Sequence, residues 1–234
     1  MAQTQPGPVS VHDSRLTVHT LVREDIFAGS MSNDEAHLAN GERTLTQLLI
    51  ERPNAKADIL AWQGWAALTR AVYAHEEKNE NEFAQRYRQA SELQAEAAQL
   101  EPNSESVAIL IGGSYAVLGD RLPNQYRSSA WSQAYTMYRK VWKRHSGNFD
   151  TLPPHLKGEL LAGLAQTAQR TGRKTEMLED LDVIVEKLPD TPYAARAKKW
   201  KENPEIASRT SIICQTCHEP GRLAVRTATL AAMK

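Results

Sequence analysis

Between residues 32 and 202, apolar side chains return at steps of three and four, the spacing that gathers them on one face of a helix. Ser32-x-x-Glu35 has the form of a capping box and predicts a helix that carries Leu38, Leu45, Leu48 and Leu49 and stops at Pro53. A second begins after Asn54 and sets Leu60, Trp65, Leu68 and Val72 along one side. Asn79-x-x-Glu82 opens a third, with Phe83, Tyr87, Ala90, Ala97 and Leu100 before Pro102. The same periodicity predicts further helices at about 104–118, 126–144, 155–170, 174–188 and 192–202. Gly119, Gly147 and Gly172 suit the positions just past helix ends, and Thr191-Pro192 suits a start. The predicted class is all-α, preceded by a largely irregular leader over 1–31.

The helices share punctuation. LIERPN at 49–54, QLEPNS at 99–104 and EKLPDT at 186–191 each end a helix on an apolar residue, insert proline, and open the next with Asn or Asp. Such a chain reads as stacked antiparallel helix pairs. On particular residues it resembles the tetratricopeptide-repeat family. Trp65-x2-Leu68 matches the Trp-x2-Leu step of that family, Ile111-Gly112-Gly113-Ser114-Tyr115 its apolar-Gly-x2-Tyr step, and Ala97-Ala98-Gln99-Leu100-Glu101-Pro102 the end of its second helix. The resemblance spans roughly 33–202, with a period nearer 45–50 residues than 34. It implies an α-solenoid whose concave surface binds a protein partner.

Composition agrees with helices: Ala, Leu, Gln, Glu and Arg dominate the middle, and the 41% of hydrophobic residues is enough for a core. Twenty-eight Lys and Arg balance 28 Asp and Glu, so nothing in the net charge points to nucleic acid. The basic run from Tyr138 to His145 reads as a helix C-terminus, where cations complement the dipole. Gly112 and Gly113 read as close helix packing, since no strand precedes them to make a phosphate loop. Trp62, Trp65, Trp131, Trp142 and Trp200 read as interhelical packing. The balance is uneven along the chain. From Arg196 onward eight Lys or Arg (196, 198, 199, 201, 209, 222, 226, 234) face three Glu (202, 205, 219), a surplus of five that residues 1–195 offset.

The candidate chemistry sits in ICQTCHEPGRL, residues 213–223, which holds both cysteines of the protein. Zinc would need further ligands, a second Cys pair or closely spaced histidines, and the sequence has neither. A thioredoxin-type redox pair belongs in a βα pattern that is missing here. A disulfide across two residues would constrain the unfolded chain little. Covalent haem c uses all three residues: Cys214 and Cys217 add to the vinyl groups as thioethers, and His218 becomes the proximal ligand of the haem iron. Cys-x-x-Cys-His thus resembles a c-type cytochrome attachment motif, which implies export to the periplasm or an equivalent compartment. MAQTQPGPVSVHD has no secretory h-region, so the expectation is a mature end, Ala2-Gln3-Thr4-Gln5, from which a signal peptide has been removed and to which Met1 was added. No stretch approaches the length of a membrane span.

Motif position separates cytochrome classes. Only 16 residues follow His218, which excludes the class I arrangement with the fold built after the motif. Class II cytochromes resemble the chain in placing the motif late in a helical protein, but Pro220-Gly221 should end a helix that class II continues. The domain reading is leader 1–31, helical-repeat domain 32–203 and haem-attachment segment 204–234. For the distal side of the iron the expectation is an open position or, second, Met177, at the helix end nearest the start of the tail. Met177 also shares an apolar stripe with Leu181, Ile184 and Leu188 that would make it an ordinary core residue. His155 lies about 24 Å away at the other end of its helix. His12 and His19 precede the first predicted repeat and should lie several helix spacings off unless the leader crosses the concave face. Met233 sits at the terminus.

No catalytic constellation is present: there is no His-Glu-x-x-His, no Gly-x-Ser-x-Gly and no phosphate loop. The acidic stretch Glu179, Asp180 and Asp182 lies near a helix start, where carboxylates are favourable anyway. Two functions remain open. One is an exported electron-transfer subunit carrying one haem c, docked to a redox partner with an acidic surface. The other is a tetratricopeptide-type scaffold whose Cys-x-x-Cys-His is a redox or metal site without haem. An enzyme remains only if haem itself supplies the chemistry.

Overall fold

The structure is a computed structural model and describes residues 13–213. These residues form ten α-helices, joined in places by single 3-10 turns, and no strand occurs among them. The helices are α1 (Val18–Ser32), α2 (Glu35–Glu51), α3 (Lys56–Glu76), α4 (Glu80–Leu100), α5 (Glu105–Leu118), α6 (Asn124–His145), α7 (Pro154–Arg170), α8 (Lys174–Lys187), α9 (Pro192–Glu202) and α10 (Pro204–Arg209). The all-α reading holds, and eight of these helices start and stop within a few residues of their predicted bounds.

Two elements differ. The leader is not largely irregular, because its second half forms α1, capped by Thr17, whose side chain accepts from the Thr20 N–H. Leu21, Val22, Ile26 and Phe27 of α1 are buried at the one-turn spacing that makes a helix worth forming here. Ser32 does not cap α2. It is the last residue of α1; Asn33 reverses the chain at φ 55°, and Asp34 accepts from the His37 N–H as the actual cap. The segment after 203 likewise opens with α10, whose cap is Asn203. Asn79 and Thr191 cap where expected, accepting from the Glu82 and Ala194 N–H groups, whereas after Pro102 the cap is Ser104, accepting from Val107, rather than Asn103.

Successive helices pack as pairs, α1 on α2, α3 on α4, α5 on α6 and α7 on α8, while α9 lies on α8 and α10 returns to α9 and α7. The odd-numbered helices also meet one another: α1 touches α3 and α5, α3 touches α5, and α5 touches α7. Small residues allow these approaches. A Cβ on Gly113 of α5 would stand 3.2 Å from the Trp65 ring of α3, and one on Gly112 would stand 3.1 Å from Met137 Cβ of α6. The packing role read for these glycines is therefore what they do. Gly172 follows α7 at φ 76°, whereas Gly119 is held by contact, its Cβ position lying 2.9 Å from the Trp131 ring. Trp62, Trp65, Trp131 and Trp200 are buried and Trp142 is partly buried, as packing residues should be. The basic end of α6 ties down the α4–α5 connection: Lys140 and Arg144 donate to the Pro102 and Asn103 carbonyls.

No helix among the described residues is long and apolar enough to cross a membrane.

Candidate functional site

The described chain ends one residue before Cys214, and that end is firmly held. Ile212 and Ile213 are fully buried. Gln166 of α7, itself 1% exposed, accepts from the Ile212 N–H at 2.9 Å and the Ser211 hydroxyl at 2.8 Å. It donates to the Ala116 carbonyl of α5 at 3.2 Å, so one amide joins α5, α7 and the chain end. Arg170, one turn on, donates to the carbonyls of Ala207 at 2.6 Å and Thr210 at 3.0 Å. It also grips the Asp120 carboxylate and lies over the Trp131 ring at 5.4 Å. Trp200 adds a bond from Nε1 to Thr210 Oγ1 at 2.9 Å. The residue preceding the first thiol is thus fixed against α5 and α7, whatever that thiol does.

Cys214, Cys217 and His218 themselves, with His12 and Met233, lie outside the described residues. Met177 is described and is 4% exposed, buried with Leu181 and Ile184 on α8. That is the packing role its apolar stripe indicates, and a ligand role would require it to leave the core. Among the described residues no group of three or more His, Cys, Asp or Glu could hold a metal ion.

A groove on the odd-numbered helices brings together residues that the sequence kept apart. It is lined by His19 and Phe27 of α1, Trp65 of α3, Ile109, Leu110 and Gly113 of α5, Tyr138 of α6, and His155, Leu156 and Glu159 of α7, with a volume of about 250 Å³. Its walls are mostly aromatic and aliphatic, and its mouth is open. Such a shape covers one face or edge of a flat group rather than enclosing it. Trp62 and Trp65 stack at 5.4 Å behind it, with Phe27 edge-on to Trp65 at 5.1 Å. The Tyr138 ring in this lining fits because Gly163 and Gly112 leave room for it.

The polar features of this wall are two imidazoles, the Glu159 carboxylate and the hydroxyls of Ser106 and Tyr138. His19 was expected to lie several helix spacings from the functional end, but α1 lies against both α3 and α5, and the ring therefore shares the groove with His155. The residue keeps an exposed surface, yet protein crowds its ring, and Trp62 lies 5.5 Å from it, centroid to centroid. That crowding, reinforced by the positive charge of Arg23 and by His155, lowers its pKa to about 4, which leaves the imidazole neutral near pH 7. Among the described residues neither His19 nor His155 is hydrogen-bonded to a protein group, and both are exposed. Imidazole nitrogens on a largely apolar wall are the donor set of a borderline metal such as haem iron, and the residues present fit such a group. No protein-family model matches the chain, and neither a curated protein nor a solved structure matches it significantly.

A second polar cluster joins α6 to α8. The Tyr135 hydroxyl donates to Glu176 at 2.5 Å, Arg139 donates to both Tyr135 and Glu176, and Arg173 lies 4.2 Å above the Tyr135 ring. These partners hold the Glu176 carboxyl below its ordinary value. Asp180 beside them behaves oppositely. Burial pushes it up to about 7, and Arg139, 4.0 Å away and already engaged by Glu176, only partly offsets this. The acidic stretch seen in the sequence is therefore divided, with Asp180 buried among helices and Glu179 and Asp182 at the surface. Lys201 pairs with Asp182.

Proposed function

We propose that this chain is an exported c-type haem protein that carries electrons, with Cys214 and Cys217 as the covalent attachment points, His218 as proximal ligand and the helical body as the docking scaffold. The observation that carries the reading is the Cys-x-x-Cys-His sequence, which uses every residue of the motif and follows directly on an anchored stretch of backbone. The bound haem would supply one-electron exchange at iron. The chain's own residues would hold that group at a fixed place on the helices, shield it from water with aromatic and aliphatic side chains, and present it to a protein partner. The pairing of helices, together with the mutual contact of α1, α3, α5 and α7, supports a superhelical stack of tetratricopeptide type. A periplasmic location follows from the attachment chemistry. Nucleic acid is not part of the reading.

The cationic surplus after Arg196 supports an acidic partner surface. Lys198 and Lys199 are exposed on α9, the helix that leads to the tail. Association with the redox partner should therefore slow as salt rises, since steering by opposite charge is screened over about 10 Å at 0.1 M. An on-rate independent of salt would count against the acidic partner.

The decisive test is a mass spectrum and haem stain of the chain co-expressed with haem-attachment machinery in an exporting host. One covalent haem is expected, lost on Cys214→Ala with Cys217→Ala. An unmodified protein under those conditions refutes the proposal and favours a scaffold with a free thiol pair.

A further inference from the structure

We infer that the groove between α1, α3, α5 and α7 seats the haem carried by residues 214–218, and that His155 supplies the second axial ligand with His19 flanking it. The inference rests on the haem reading above and adds a place and a ligand to it.

Three observations converge. The first is donor chemistry. The groove presents two imidazoles not hydrogen-bonded to a described protein group amid Phe27, Trp65, Leu110 and Leu156. An apolar peptide would be served by the walls alone, whereas ring nitrogens on such a wall suit a metal at the centre of a flat apolar group.

The second is where the chain ends. Ser211 and Ile212 are bonded to Gln166. On α7, His155, Glu159 and Gln166 are spaced by four and seven residues, which sets them on one face of the helix. The chain is thus held on the same helical face that carries His155.

The third is reach. From Gln166 back to His155 is a rise of about 16 Å at 1.5 Å per residue, and Glu159 is about 10 Å away. Residues 214–218 span at most about 17 Å when extended at about 3.3 to 3.6 Å per residue, and the macrocycle they carry adds its own width. The tail can therefore deliver its haem to the groove without any movement of the helices. His155 is chosen over His19 because it lies on the helix that anchors the chain end, while the His19 ring lies 5.5 Å from Trp62.

The test uses the full chain after haem attachment. Its mass spectrum is read first: no haem adduct means the proposed function fails, and this inference falls with it. With the adduct present, the ferric protein should show a low-spin, bis-imidazole spectrum and the ferrous protein should resist carbon monoxide. His155→Ala should become high-spin and bind carbon monoxide readily, with added imidazole restoring the low-spin bands; His19→Ala should stay low-spin. Circular dichroism melts confirm that each variant is folded. A low-spin spectrum that survives His155→Ala overturns the inference, as does one lost in Met177→Leu or His19→Ala but kept in His155→Ala. A wild-type protein already high-spin and open to carbon monoxide also overturns it, leaving the groove to residues 1–12 or to a partner's peptide.

Discussion

Replacing Arg170 by alanine should loosen the backbone that leads into Cys214 without unfolding the rest of the molecule. The side chain is 8% exposed and donates to two main-chain carbonyls, Ala207 and Thr210, both in the segment after α9. Hydrogen bonds from a charged donor contribute about 1.5 to 3 kcal/mol each. The ion pair with Asp120 adds little, because that carboxylate is 52% exposed and such pairs contribute about 0 to 1 kcal/mol. Water will reach part of the vacated site, which brings the loss to about 2 to 4 kcal/mol. At about 1.4 kcal/mol per factor of ten, that corresponds to opening of the segment made more frequent by roughly 30- to 700-fold.

What remains is enough to hold the segment most of the time. Trp200 still bonds Thr210, Gln166 still bonds Ser211 and Ile212, and Ile212 and Ile213 remain buried. Amide hydrogen exchange read by mass spectrometry should therefore show faster exchange over 206–213, including the Thr210 N–H that bonds Ile206 and the Ile212 N–H that bonds Gln166. Peptides from α3 and α4 should be unchanged. Arg170→Lys should fall between, since an ammonium keeps the charge and loses the fork that reaches two carbonyls and a carboxylate together. Exchange over 206–213 that changes less than about threefold, or an acceleration spread evenly over all helices, would refute this account of the anchor.

Gly163→Ala should lower the melting temperature by roughly 2 to 6 °C: the new Cβ would sit 2.2 Å from the Tyr138 ring, an overpacking cost of about 1 to 3 kcal/mol only partly offset by about 1 kcal/mol of helix propensity. Gly147→Ala, with nothing within 4 Å of its Cβ position, should melt at or slightly above wild type, and a Gly163 variant that does the same would show that Tyr138 can retreat. Asp180→Asn should change the pH dependence of stability. The native carboxyl titrates near 7 and the unfolded one near 3.8, so the folded state holds the extra proton and this group's contribution is lost as pH rises from about 4 to 7. The variant should flatten that decline and be the more stable protein at pH 8, whereas parallel profiles in denaturant titrations would show that Asp180 does not titrate there.

Most helices were legible because each one declares itself locally. Asn79 with Glu82 and Thr191-Pro192 are caps that act within one turn, and the structure uses both. Gly112 and Gly113 were legible for a related reason: without a strand before them, close packing was the role left. Burial of Asp180 was missed although the stripe of Met177, Leu181 and Ile184 was read: Asp180 lies three residues after Met177 and four before Ile184, on that same face, and its charge pointed to the surface instead. The groove was even less accessible to sequence reasoning. Its residues come from five helices, and no short-range pattern relates His19 to His155.

The misplaced start at Ser32 shows how one local signal can conceal another. Ser32-x-x-Glu35 satisfies the capping-box pattern, and accepting it assigns everything earlier to a leader. Yet Thr17 followed by Val18, Leu21, Val22 and Ile26 is itself a cap and an apolar stripe, and Asn33-Asp34 is a two-residue reversal joining two helices. The reversal is held from a distance: Arg121 donates to the Ser30 carbonyl and to Asn33 Oδ1, both at 2.8 Å, while gripping Glu76 of α3. Trp65 Nε1 bonds Ser30, which also pairs with Thr69, so α1 is drawn onto α3 through buried polar contacts. Those contacts carry the consequence for the site. Counting repeats from Ser32 puts His19 outside the helical body, but with α1 fastened to α3 the ring becomes a wall of the groove that His155 lines from α7.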